Sequence, residues 1–139
     1  MSAVAALQNA FRTLLVAATP VTSLVKDAIR LDTLQQGDKL PAIVVEVPED
    51  NPVQTLGEGD RLEGTAVAQM VCCAHDRPKA LAVASAVRAA LADYEGSVGG
   101  IYLDEVTYDG VNRDYEPPED LGDENAWYFE PLRFFVIYK

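Results

Sequence analysis

The stretch LEGTAVAQMVCCAHDRPKALAVASAVRAALADY, Leu62–Tyr94, decides the fold. In its first half Leu62, Gly64, Ala66, Ala68, Met70, Cys72 and Ala74 put an apolar or small residue at every second position, the period of a strand that buries one face. The opposite face, from Arg61 through Thr65, Val67, Gln69, Val71 and Cys73 to His75, is mixed, as expected of a side that is partly solvated or meets another subunit. Asp76 then offers a carboxylate to a free backbone N–H at a helix start, and Pro78 fits the first turn, where its missing donor costs little. Ala80, Val83, Ala84, Val87, Leu91 and Tyr94 recur at helical spacing, with Lys79, Ser85, Arg88 and Asp93 on the other side and Gly96 suited to the C-terminal cap. Gly64, Ala66 and Ala68 carry little bulk, so the alanine-rich helix is expected to lie close against the strand.

On the N-terminal side, Ser2 is placed to cap a helix whose apolar face is Val4, Leu7, Phe11, Leu14 and Leu15, ending near Thr19-Pro20. Val21, Leu24 and Val25 suggest a short helical turn, Ile29–Leu31 a short strand, and 35–39 a loop. Pro41 opens the β-rich run 42–47, apolar on both faces except at Glu46, and Pro48 is expected to end it. From Glu49 to Asp60 the composition turns to Pro, Gly and acids, which predicts a long hairpin arm. On the C-terminal side, Ser97 to Gly100 reads as a flexible joint and Ile101 to Val111 as a strand with the turn-prone Asp109-Gly110 near its end. A stiff acidic loop from Tyr115 to Asp120 leads to a last strand, where Pro131 predicts a bulge or an edge. The sum is an α+β domain spanning 1–139: an antiparallel sheet of four to five strands, two α-helices packed on one face, and a long hairpin arm.

Composition narrows the function. The chain has 139 residues, 49% of them hydrophobic, the size of one domain with a real core. No apolar run approaches the ~20 residues that cross a bilayer, and Gln8, Asn9 and Arg12 break any resemblance to a signal peptide, so a soluble, unexported protein is expected. Net charge is −11, and between Asp104 and Glu130 ten acids face one base, Arg113, a distribution that repels a nucleic-acid backbone. Cys72 and Cys73 are neighbours on a strand, so their side chains point to opposite faces and stay reduced.

The residues that carry chemistry are few. His75 is the one histidine, and Cys73, His75 and Asp76 could be imagined as a nucleophile group, but no oxyanion site accompanies them; capping and surface roles are the better reading. Zinc lacks ligands, and the acids from Glu119 to Glu124 lack the spacing of a calcium loop. Gly57 and Gly59, and Gly99-Gly100, do not precede helices and make no phosphate cradle. No catalytic, cofactor or metal site is therefore expected. Trp127, Tyr128, Phe129, Phe134 and Phe135 read first as core.

The layout as a whole resembles the tail-completion and tail-terminator (head-tail joining) proteins of long-tailed bacteriophages and prophages. The likeness rests on the helix Leu7 to Val16, the turn Val21 to Lys26, the 40–45 strand LPAIVV, and the strand entering the helix 80–91, ALAVASAVRAAL. The loop 114–118, DYEPP, and the finish 132–136, LRFFV, complete it.

That resemblance implies a non-enzymatic structural virion protein. It would form a ring, commonly hexameric, at the head-proximal end of the tail, ending tail-tube polymerisation and docking the tail to the neck. The implied partners are further copies of itself, the major tail tube protein and a neck or connector protein, with DNA passing through the channel without specific binding and no membrane; assembly would occur in the host cytoplasm. A closed ring needs two different surfaces on each subunit. The candidates are the arm, with Glu49, Asp50, Val53 and Leu56, and the last strand, with Trp127, Phe129 and Phe135. Glu119, Asp120, Asp123 and Glu124 are candidate channel or surface acids. Three other readings compete: another head-tail connector or neck component, an acidic DNA mimic, and a small enzyme built on Cys73, His75 and Asp76.

Overall fold

The computed structural model describes residues 3–34, 39–52, 63–117 and 127–139. Its elements are α1 (Ala3–Ala17), α2 (Thr19–Val25), β1 (Ile29–Leu31), β2 (Ala42–Pro52), β3 (Gly64–Ala74), α3 (Arg77–Leu91), β4 (Gly96–Val98), β5 (Ile101–Val111) and β6 (Tyr128–Tyr138).

The deciding stretch folds as its pattern requires. β3 runs from Gly64 to Ala74, and the Asp76 carboxylate accepts from the Lys79 backbone N–H at 2.9 Å, capping α3. Ala80, Val83, Ala84, Val87 and Leu91 are buried, and the last four share a core cluster with Ala66, Ala68, Met70 and Cys72 of β3. The expected cap at Gly96 is not used. α3 ends at Leu91, Asp93 takes the left-handed turn with φ 63°, and the Asp93 N–H donates to the Val106 carbonyl at 2.8 Å. An acidic residue tolerates this conformation, so the chain leaves the helix three residues before the glycine.

The sheet has six strands among the described residues, ordered β1-β2-β3-β6-β5-β4, where four or five were expected. The extra strand is β4, which lies in the segment read as a flexible joint and pairs Gly96–Val98 with Ile101–Leu103 around a Gly99-Gly100 turn. Gly99 and Gly100 both have positive φ, which a tight hairpin turn demands. The sheet is also not wholly antiparallel, because β1 pairs parallel with β2 from Ile29↔Ile43 to Leu31↔Val45.

Neither proline does what was expected. β2 continues through Pro48 to Pro52, and the register shift between Glu46 and Glu49 absorbs the missing donor. At Pro131 the pairing with β3 is unbroken from Tyr128↔Ala74 to Tyr138↔Gly64, so β6 is a central strand and not an edge. The Pro131 carbonyl accepts from the Asn112 N–H at 2.8 Å, on the β5 side. In an antiparallel ladder a residue's N–H and C=O point to the same neighbour, so the absent N–H falls where β5 ends, beyond the irregularity between Tyr108 and Val111.

The three helices among the described residues all cover one face. Leu7, Phe11 and Leu15 of α1 and Val21 and Val25 of α2 join Ile43, Val45, Met70, Phe134, Val136 and Tyr138 in the main core. Two polar side chains fasten α1 to the β1–β2 edge: Gln8 donates to Asp32 at 2.6 Å, and Arg12 donates through Nε to the Ile29 carbonyl at 3.2 Å. Leu24 of the short helical turn remains exposed. Ser2 lies outside the described residues.

Candidate functional site

Alternation along the strands sends a second set of side chains to the face away from the helices. Val44, Val71 and Cys73 are buried there, with Leu34, Leu40, Tyr115 and Phe129 packed against them. The mixed face is thus half core. The segment 112–117 closes over it: Asn112 donates to the Gln69 side chain at 2.9 Å, and the Asp114 N–H donates to the Asn112 Oδ1 at 3.1 Å. Tyr115 meets Phe129 with ring centres 5.8 Å apart, and Trp127 stacks on Phe129 at 6.0 Å. Burial, with help from the nearby Glu46 and Cys73, pushes the Tyr115 phenol up to about 12.

These contacts remove the nucleophile reading. Burial raises the Cys73 thiol to about 12, with Glu46 adding to the effect, and burial drives Cys72 upward as well. A thiol held protonated in a core is inert. His75 turns edge-on to Trp127 at 6.1 Å, and Asp76 is occupied as the helix cap. Cys72 and Cys73 are unpaired, as expected of adjacent strand residues. Among the described residues no three His, Cys, Asp or Glu side chains gather to hold a metal.

Of the predicted interface residues, Phe129 is half-buried in this second cluster and Trp127 is half-buried against it, whereas Phe135 is 40% exposed on the same face further along β6. Around Phe135 the pairing places Val67 and Thr107, and Ile137 lies two residues on, so an apolar strip is open to a partner. Glu49 is exposed; Asp50 is not free, since the buried Tyr138 donates its hydroxyl to the Asp50 carboxylate. Burial and this acid together raise the Tyr138 phenol. Beside them Gly64 is tightly placed, because a Cβ there would press on the Asn51 carbonyl oxygen and on Pro52. β2 and β3 are therefore closely packed at Pro52 and Gly64. Val53 and Leu56, and the acids Glu119, Asp120, Asp123 and Glu124, lie outside the described residues.

Three polar residues have partners that the sequence did not reveal. Glu130 is 8% exposed and is matched by Arg113 at 3.2 Å, beside a cavity of about 320 Å³ reaching Arg77, Leu81 and Tyr128. Gln69 is buried under Asn112. Glu46 is half-buried, and desolvation raises its carboxyl against the Gln69 hydrogen bond that lowers it. The strand period placed Gln69, and no local signal marked its partner 43 residues away.

The described residues thus define a structural domain: one face closed by helices, the other left partly open, and its reactive side chains spent on caps and cores. The chain matches the family model of tail completion protein gp17 over residues 9–121 and belongs to that family. It is accordingly a structural component of a phage-type virion tail, and not an enzyme. A comparison with curated proteins finds no match. Among solved structures, a chain from the virion of a native gene transfer agent particle shares the fold with a TM-score of 0.64 and 20% identity, covering 96% of this chain and 95% of that one.

Proposed function

We propose that this chain forms a ring, six-fold in symmetry, at the head-proximal end of the tail, where it ends tail-tube polymerisation and docks the tail to the neck. The observation that carries this reading is the family match across most of the chain. The open strip around Phe135 supports it, since a ring closes only when each subunit offers two different surfaces, and a helix-covered domain with one half-open face has surface to spare for them. The partners are further copies of the chain, the major tail tube protein and a neck or connector protein. DNA passes through the channel without specific binding.

Electron microscopy of particles made when the gene carries an early stop codon tests this. Filled heads beside over-long or uncapped tails are expected. Tails of normal length left unjoined would assign the chain to the neck instead, and intact infectious particles would refute a role in joining altogether.

Glu119, Asp120, Asp123 and Glu124 line the channel in this reading, keeping passing DNA from sticking by like-charge repulsion. The pair Asp120→Lys and Asp123→Lys should slow DNA ejection. Unchanged assembly together with unchanged ejection contradicts the assignment.

A further inference from the structure

We infer that a basic cavity beside β1 receives the acidic arm, residues 49–63, of a second copy of this chain, so that neighbouring subunits join head to tail. The inference rests on the ring reading and names its contact. In a chain of net charge −11, three of its eleven basic residues, Lys26, Arg30 and Lys39, converge on one cavity of about 460 Å³. Leu24, Leu40 and Pro41 form its apolar wall, and Asp27 is the one acid among the described lining residues. Arg30 is held toward this turn by donating to the Asp27 backbone carbonyl at 3.2 Å.

The arm carries the matching chemistry in its sequence. Glu49, Asp50, Glu58, Asp60 and Glu63 stand against one base, Arg61, and Val53, Leu56 and Leu62 are interspersed. A cavity lined by bases and apolar side chains together fits an acidic segment with apolar anchors better than it fits either a bare anion or a neutral surface. Because Tyr138 holds Asp50, the acids left to engage the rim are led by Glu58 and Asp60.

Geometry excludes the chain's own arm. The cavity adjoins Lys39–Pro41, just before β2 begins at Ala42, and the arm leaves β2 at Pro52. At ~3.3 Å per residue the two ends of this strand are about 33 Å apart. β2 and β3 stay paired up to Pro52↔Gly64, so the connection 53–63 starts and finishes at one place. Eleven residues fixed at both ends there cannot reach further than about half their contour length, roughly 17–20 Å. The occupant must come from another molecule. Since cavity and arm lie at opposite ends of one strand, each copy is a receptor at one end and a donor at the other, the heterologous contact that generates rings.

A cysteine pair in the full chain, Lys39→Cys with Glu58→Cys, tests the contact under mild oxidation, with the two native thiols silent because both are buried. A disulfide-linked ladder extending beyond the dimer is expected, while each single variant gives dimers at most. A sample whose light scattering reports a ring but whose ladder is absent overturns this contact and leaves the ring reading standing; a sample that stays monomeric and unlinked overturns both. Charge exchange provides an independent check. Lys26→Glu with Lys39→Glu should weaken assembly about tenfold or more, and adding Glu58→Lys with Asp60→Lys in the same chain should restore it. Failure of the reversed arm to restore assembly in a folded protein contradicts the pairing.

Discussion

The two faces of the sheet use the same strands for different purposes. Toward the helices, Ile43, Val45, Met70, Phe134 and Val136 are wholly buried and make one cluster. Toward the other side, burial is graded: complete at Val71, partial at Phe129, and lost at Phe135, which stands 40% exposed. Phe134 and Phe135 are adjacent in the chain and point to opposite faces. The first face holds the fold together; the second has unspent apolar surface, the condition for meeting another subunit.

Substitution at these neighbours gives the largest expected contrast. Phe134→Ala should cost about 3–5 kcal/mol in denaturant unfolding, by loss of burial and creation of a cavity beneath α3. Gly64→Ala comes next, at about 1–3 kcal/mol, because its Cβ has no room beside Asn51 and Pro52 and the β2–β3 ladder must shift. Asp76→Ala should cost about 1 kcal/mol, the usual worth of a helix N-cap, with little change in assembly. Phe135→Ala should move stability by no more than about 0.5 kcal/mol yet impair ring formation, measured by light scattering beside the unfolding curve. Equal stability losses at Phe134 and Phe135 would erase the distinction between the faces.

Alkaline titration sharpens it further. The thiols of Cys72 and Cys73 and the phenols of Tyr115 and Tyr138 are all raised by burial, from ordinary values of 9.0 and 10.0. The unfolded chain then releases these protons before the folded one does. Their contribution to stability is complete below pH 9 and is lost as pH climbs through 9–10 toward the folded values. Unfolding midpoints should fall steeply above pH 9, and a thiol reagent at neutral pH should label neither cysteine until the protein unfolds. Rapid labelling of Cys73 alone would show that Tyr115 and Phe129 do not close the second cluster.

What was legible in the sequence follows from where periodicity is strong. The strand 64–74 and the capped helix after it were readable because two-residue and helical periods succeed each other around an Asp-Arg-Pro junction. β4 was not, since a three-residue strand that begins at Gly96 and runs into Gly99 and Gly100 has no period and the composition of a turn. Parallel pairing of β1 with β2 is a property of chain routing, which local pattern does not encode. Pro48 was read as a terminator and Pro131 as a bulge or an edge, because proline lacks a donor; tertiary context set the first at a bulge and the second on a central strand where β5 stops. Of the candidate site, Phe135 emerged as an exposed residue, but Trp127 and Phe129 were committed to a second core that only the fold-over of Tyr115 could reveal. Asp50 was seen as an arm acid, with no hint that Tyr138, 88 residues away, would hold it.

Cryo-electron microscopy of intact tails from the particle that encodes this chain would show where its copies sit and which face meets a neighbour. A closed ring of copies at the head-proximal end of the tube is expected, with the helix-covered core of each copy intact and the strip around Phe135 in contact with a neighbour. Copies distributed along the tube or at its distal tip, or an isolated copy whose Phe135 face meets solvent, would contradict it.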